Sequence, residues 1–144
     1  VSAPRISWAD HGTNIALAAA LRSEDPYCQV GATVLSAKGI VLGVGYNGVP
    51  SGVEIDWSDR DARRPLIIHA EVNALRFTTP DRAEGGLLTS THFPCSACIV
   101  QAAAYGVREV TWLYPPDWNT YPADATQRIA ARLGLILRRI DDRA

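Results

Sequence analysis

The sequence predicts an α/β fold: a mixed five-stranded sheet with helices on both faces, stacked in three α/β/α layers. Two observations carry this expectation. Helix-like and strand-like patterns follow one another in the order α-β-β-α-β-α-β-α-β, and a hairpin-length turn joins the first two strands. The hairpin makes at least one antiparallel pair. Strand–helix alternation beyond residue 69 favours parallel neighbours there, so the sheet is mixed. A chain of 144 residues suits one domain, 1–144, and is long enough to bury a core.

Each element has a local reason. Ile6 to Arg22 reads as a helix with Trp8, Gly12, Ile15 and Ala19 on one stripe, ended by Ser23-Glu24-Asp25-Pro26 because the residue before a proline avoids helical geometry. Gln29 to Leu35 is rich in β-branched residues and reads as a strand. Ser36-Ala37-Lys38-Gly39 is the turn, and Ile40 to Tyr46 the returning strand. Residues 49–68 form the least regular stretch, with Pro50, Gly52, Trp57 and Pro65, and suggest a lid or pocket wall. A helix from His69 to about Phe77 follows, then a polar connector from Thr78 and a strand from Gly86 to Thr91. Pro94 suits the start of the next helix, Cys95 to Tyr105, and Gly106 its end. Val107 to Tyr114 is a strand broken by Pro115-Pro116. Asp124 to Leu133 is a helix stopped by Gly134, and Leu135 to Ile140 the last strand.

Composition excludes several function classes. A net charge of −1 leaves no electrostatic footprint for a polynucleotide. No run of 18 apolar residues suggests a membrane span. No leader pattern precedes the first helix. Three cysteines, two of them close together, argue for metal binding in a reducing, cytoplasmic setting rather than a disulfide framework. Gly43-Val44-Gly45-Tyr46-Asn47-Gly48 matches G-x-G-x-x-G by letter. A dinucleotide fingerprint needs a helix straight after it, and here Val49-Pro50-Ser51-Gly52 follows. The stretch is either a strand ending in a glycine-permitted turn or a loop that brings Asn47 to a pocket.

Chemistry concentrates in residues 69–98. His69, Cys95 and Cys98 form the nitrogen and sulfur donor set that zinc takes most readily. Three protein ligands leave a fourth tetrahedral position open, the mark of a catalytic rather than a structural zinc. Cys95 and Cys98, three apart at a helix start, can reach one metal, and the positive end of the helix favours thiolate. Glu71, two residues after the histidine, is placed to move protons beside the open position. A lone Cys-x-x-Cys could be a redox pair, and a lone His-x-Glu means little. Their combination carries the catalytic reading.

With these pieces together, the chain resembles the cytidine deaminase superfamily, and within it the deoxycytidylate deaminase branch. His69-Ala70-Glu71 with Pro94-Cys95-Ser96-Ala97-Cys98 matches the zinc deaminase signature H-x-E…P-C-x-x-C. Arg22-Ser23-Glu24-Asp25-Pro26, Gln29-Val30-Gly31-Ala32 and Gly45-Tyr46-Asn47-Gly48-Val49-Pro50-Ser51-Gly52 point to the branch. The resemblance implies a cytidine deaminase-like fold and Zn2+ on His69, Cys95 and Cys98. It implies Glu71 as proton shuttle, the Ala70 N–H on the pyrimidine carbonyl, and the Pro94 carbonyl on the exocyclic amine. Asn47 would touch the sugar or the base edge, and a homo-oligomer is expected. Trp57, Phe93, Trp118 and Tyr121 are candidates for a pocket wall.

Two departures stand out. Glu24 occupies a position where the branch often has lysine, and His92 one where an apolar residue is usual. The expected function is hydrolytic deamination of a cytosine-type nucleotide such as dCMP. Glu24 motivates the alternative of a free base, nucleoside or triazine-like analogue. A polynucleotide-editing deaminase and a non-catalytic zinc module are the remaining readings.

Overall fold

The computed structural model describes residues 1–116 and 123–140. Strands β1 (Gly31–Leu35), β2 (Val41–Tyr46), β3 (Leu87–His92), β4 (Glu109–Tyr114) and β5 (Ile136–Arg139) form one sheet in the order β2-β1-β3-β4-β5. β1 runs antiparallel to both β2 and β3, whereas β3, β4 and β5 are mutually parallel. The mixed sheet expected from the hairpin and the later alternation is therefore present. β1 and β3 are its innermost members around the site, and β1 is buried along its whole length.

The principal helices are α1 (Trp8–Ala20), α2 (Arg60–Arg63), α3 (Ala70–Leu75), α4 (Pro80–Ala83), α5 (Ser96–Ala104) and α6 (Ala123–Arg132). α2 leads directly into a 3-10 turn over Arg64–Leu66. α2 and α4 lie in stretches that read as loop and connector in the sequence. Each is only four residues long, too short to show a hydrophobic period. Asp59 caps α2 by accepting from the Ala62 N–H at 3.1 Å, and Pro80 opens α4.

α1 buries Ala9, Gly12, Thr13, Ala16 and Ala20, a stripe rotated by about one residue from the expected Trp8, Gly12, Ile15 and Ala19. Trp8 is 57% exposed. Close approach selects the small residues. A Cβ on Gly31 would fall on the Ala16 carbonyl, and one on Gly12 would meet Thr89 Oγ1 at 2.8 Å. On the other face, Ala32, Val34 and Leu88 pack with Ala70, Ala74, Leu75, Ile99 and Ala102 as the main core. Among the described residues, no helix is long and apolar enough to cross a membrane.

The glycines of the Gly43–Gly48 stretch have a packing role. A Cβ on Gly45 would stand 2.5 Å from the Ala74 nitrogen and 2.6 Å from the Ala70 carbonyl oxygen. One on Gly43 would overlap the Ala74 carbonyl. Bare backbone on β2 lets α3 lie directly on the strand, and α3 carries Glu71. Asn73 Nδ2 then donates to the Tyr46 carbonyl at 2.8 Å, tying the helix to the end of β2.

Candidate active site

Three donors meet at one end of the sheet. His69 precedes α3 and Cys95 precedes α5; both have extended backbone and both serve as N-caps without a side-chain capping bond. Their side chains are therefore free to turn toward each other. Gly48 and Ile68 hold the segment before His69 by a two-way backbone bridge, 3.1 and 2.8 Å long. Cys98 sits in the first turn of α5 and is buried.

His69 Nδ1 lies 3.4 Å from Cys95 Sγ and 3.3 Å from Cys98 Sγ, and the two sulfurs are 3.4 Å apart. Around a tetrahedral zinc with Zn–S ~2.3 Å and Zn–N ~2.0–2.1 Å, neighbouring ligand atoms stand roughly 3.5–3.8 Å apart. The triangle matches that geometry within a few tenths of an ångström. The donor set of one imidazole and two thiols is also the correct chemistry for zinc. The three residues are the one metal-ligand cluster of this kind among the described residues.

The hydrogen bond between the two thiols holds Cys95 down at about 4 and pushes Cys98 up. The bond to Cys95 in turn raises His69. Glu71 is buried, and burial raises its carboxyl above the ordinary range. A carboxyl that holds its proton more readily is suited to giving and taking one near neutral pH. Glu71 Oε2 faces Cys98 Sγ at 3.6 Å, so the carboxylate reaches the ligand cluster.

The family described as the cytidine and deoxycytidylate deaminase zinc-binding region matches residues 6–114. The chain belongs to this family. The deaminase is 28% identical to human deoxycytidylate deaminase over 142 residues, covering 93% of this chain and 80% of the relative. It is 34% identical to the deoxycytidylate deaminase of Mycobacterium phage D29, covering 78% and 98%. In fold it is similar to the apo dCMP deaminase of cyanophage S-TIM5, with a TM-score of 0.74 and 24% identity over 95% of this chain and all of that one. Membership and the His/Cys/Cys cluster together make the chain a zinc-dependent hydrolytic deaminase.

The other residues expected at the site fall in different places. Ala70 opens α3, so its N–H lies in the first turn, where no carbonyl within the helix can accept it. Pro94 is fully buried between β3 and α5. Asn47 is buried, and its amide serves the loop before β1. Nδ2 donates to the Cys28 carbonyl at 2.9 Å and to Asp25 Oδ2 at 3.3 Å, and Oδ1 accepts from the Val30 N–H at 2.8 Å. Phe93 is buried edge-on against Trp112, with ring centroids 4.9 Å apart. Trp57 is half-buried, and its carbonyl accepts from Arg63 at 2.8 Å. Trp118 and Tyr121 lie outside the described residues.

Sequence reasoning missed Ser90, whose Oγ donates to Glu71 Oε1 at 2.9 Å. It also missed the contact between Cys28 Sγ and His92 Nε2 at 3.5 Å, where His92 Nδ1 is 2.8 Å from Thr91 Oγ1. A signal for Ser90 existed. Thr89-Ser90-Thr91 puts three consecutive hydroxyls inside a central strand, where apolar residues are the norm.

Proposed function

We propose that the protein deaminates a cytosine-type nucleotide of the dCMP class, with residues 1–144 acting as one deaminase domain. The observation that carries this reading is the buried Glu71 carboxylate, with one oxygen 3.6 Å from a sulfur of the His69–Cys95–Cys98 triangle. The named relatives support the substrate class, since both curated ones are deoxycytidylate deaminases.

His69, Cys95 and Cys98 would hold the zinc. When bound, the metal supplies a Lewis acid that makes water nucleophilic near neutral pH. Glu71 takes a proton from the attacking water and passes it to the ring nitrogen, then moves the proton of the new C4 hydroxyl to the departing amine. Water adds at C4, the C4–N bond breaks, ammonia leaves and a carbonyl remains. The Ala70 N–H orients the ring carbonyl, and the Pro94 carbonyl accepts from the exocyclic amine. Asn47 shapes the sugar side, through Oδ1 and through the 25–30 loop that it holds. Trp57 and Phe93 support the walls of the pocket. The protein acts as a homo-oligomer in a reducing, cytoplasmic compartment.

Glu24 favours a second reading, because it is exposed just before the 25–30 loop and its charge opposes a phosphate. Deamination of a base or nucleoside lacking phosphate is that alternative. Ammonia release on dCMP, deoxycytidine and cytosine, with wild type and Glu71→Gln, decides between them. We expect dCMP to be preferred. Turnover of Glu71→Gln should fall by ~10²–10⁴-fold with zinc still bound. Preference for cytosine would replace the nucleotide reading, and an active Glu71→Gln variant would remove Glu71 from the mechanism.

A further inference from the structure

The two oxygens of Glu71 have different surroundings. Oε1 accepts the hydrogen bond from Ser90 Oγ at 2.9 Å, while Oε2 faces Cys98 Sγ at 3.6 Å. We propose that Ser90 is a positioning residue: its hydroxyl anchors Oε1, which leaves Oε2 as the oxygen that takes and gives protons beside the metal ligands. This inference rests on the acid–base role assigned to Glu71 above.

The anchor is rigid. Ser90 is fully buried in β3, in register with Ala32 of β1 on one side and Trp112 of β4 on the other. Both neighbouring strands hold its backbone. Glu71 by contrast sits in the first turn of a six-residue helix, on a side chain with three torsions. One bond from a fixed strand removes much of that freedom and selects a single carboxylate orientation. Misplacing an acid–base group by about 1 Å can cost on the order of 10²-fold in rate.

The chemistry of the bond suits a group that changes protonation state. A hydroxyl is neutral and does not titrate in the working range, so the donor is always present. When Glu71 carries its proton on Oε2, Oε1 is still a carbonyl-type acceptor. The Ser90 bond therefore holds in both states. A cationic anchor such as lysine or arginine would instead hold Glu71 ionised and oppose proton uptake. Apolar residues flank Ser90 on its own face of β1 and β3. Ala32, Val34 and Leu88 surround it in register and belong to the main core. A hydroxyl in that position is costly without a partner, and Glu71 is the partner.

The test compares Ser90→Ala, Ser90→Cys and Ser90→Thr with wild type and Glu71→Gln, reading kcat and KM for dCMP together with zinc per chain. Alanine removes the donor. Cysteine keeps nearly the same shape with a weak donor, and threonine keeps the hydroxyl. We expect Ser90→Ala and Ser90→Cys to lose roughly tenfold in kcat with KM within about twofold, and Ser90→Thr to stay within about threefold of wild type. Zinc should remain near one per chain in all of them. In the Glu71→Gln background, Ser90→Ala should cause no further loss, because the two act as one unit. Wild-type kcat in Ser90→Ala or Ser90→Cys, or loss of zinc from either, overturns the positioning role while an inactive Glu71→Gln leaves the mechanism standing. An active Glu71→Gln overturns the mechanism itself.

Discussion

Cys98 Sγ lies 3.3 Å from His69 Nδ1 although 29 residues separate them. The whole of β3 lies between, so the strand's length and the two helix starts on either side of it set this distance. Removing either donor leaves two ligands, too few to hold zinc tightly. His69→Ala and Cys98→Ser are each expected to drop well below one zinc per chain after gel filtration. A chelator should lower the melting temperature of wild type and leave that of the variants almost unchanged. Stoichiometric zinc in either variant would contradict the ligand set.

Gly45 supports the helix that carries Glu71. A methyl group there would stand 2.5 and 2.6 Å from the backbone of α3, and backbone cannot swing aside as a side chain can. Gly45→Ala is expected to destabilise the protein by about 1–3 kcal/mol or more in urea unfolding, and to reduce turnover as α3 is pushed from the sheet. Wild-type stability in this variant would show that α3 does not rest on β2.

Thr33, Thr89 and Thr111 lie side by side across β1, β3 and β4, fully buried, and none of their hydroxyls has a hydrogen-bond partner among the described residues. Thr89 faces Gly12 of α1, on the side of the sheet away from Glu71. Thr89→Val replaces an unpaired buried hydroxyl by a methyl of similar size. The expected gain is about 1 kcal/mol of unfolding free energy with turnover unchanged. A loss of stability would mean that the hydroxyl is satisfied in solution.

His92 carries a pH dependence. Burial lowers its pKa below the ordinary value, and its neighbours are the Cys28 thiol, the Thr91 hydroxyl and the Tyr114 ring, centroids 5.0 Å apart. The folded state thus favours neutral imidazole, while the unfolded chain takes a proton near pH ~6.5. The resulting stability is present above that value and is lost as the pH falls through the lower, folded pKa. Between about pH 7 and about pH 5.5, the melting temperature of wild type should fall more than that of His92→Gln. Parallel declines would rule this contribution out.

Much of the site was readable along the chain. His69, Glu71, Cys95 and Cys98 come in two short local patterns, and only a few residue types can bind zinc or move a proton. The helix starts were readable too, because caps and prolines act within a few residues. The short helices α2 and α4 were not, since four residues carry no period. The face of α1 was misjudged by about one position, because close contact with Gly31 and Thr89 selects small residues over a large Trp8.

Local chemistry in the chain thus marked the His69–Cys95–Cys98 cluster, the candidate acid–base group Glu71 and the mixed sheet. Tertiary structure alone decided how those groups are held. Ser90 meets Glu71 only because β3 pairs with β1 beside the strands that α3 packs on, and Asn47 spends its amide on Asp25, Cys28 and Val30 only because β2 returns beside the start of β1. Both contacts join residues 17 to 22 positions apart along the chain. Strand register and helix packing set such contacts, and neither leaves a mark in the spacing of residue types.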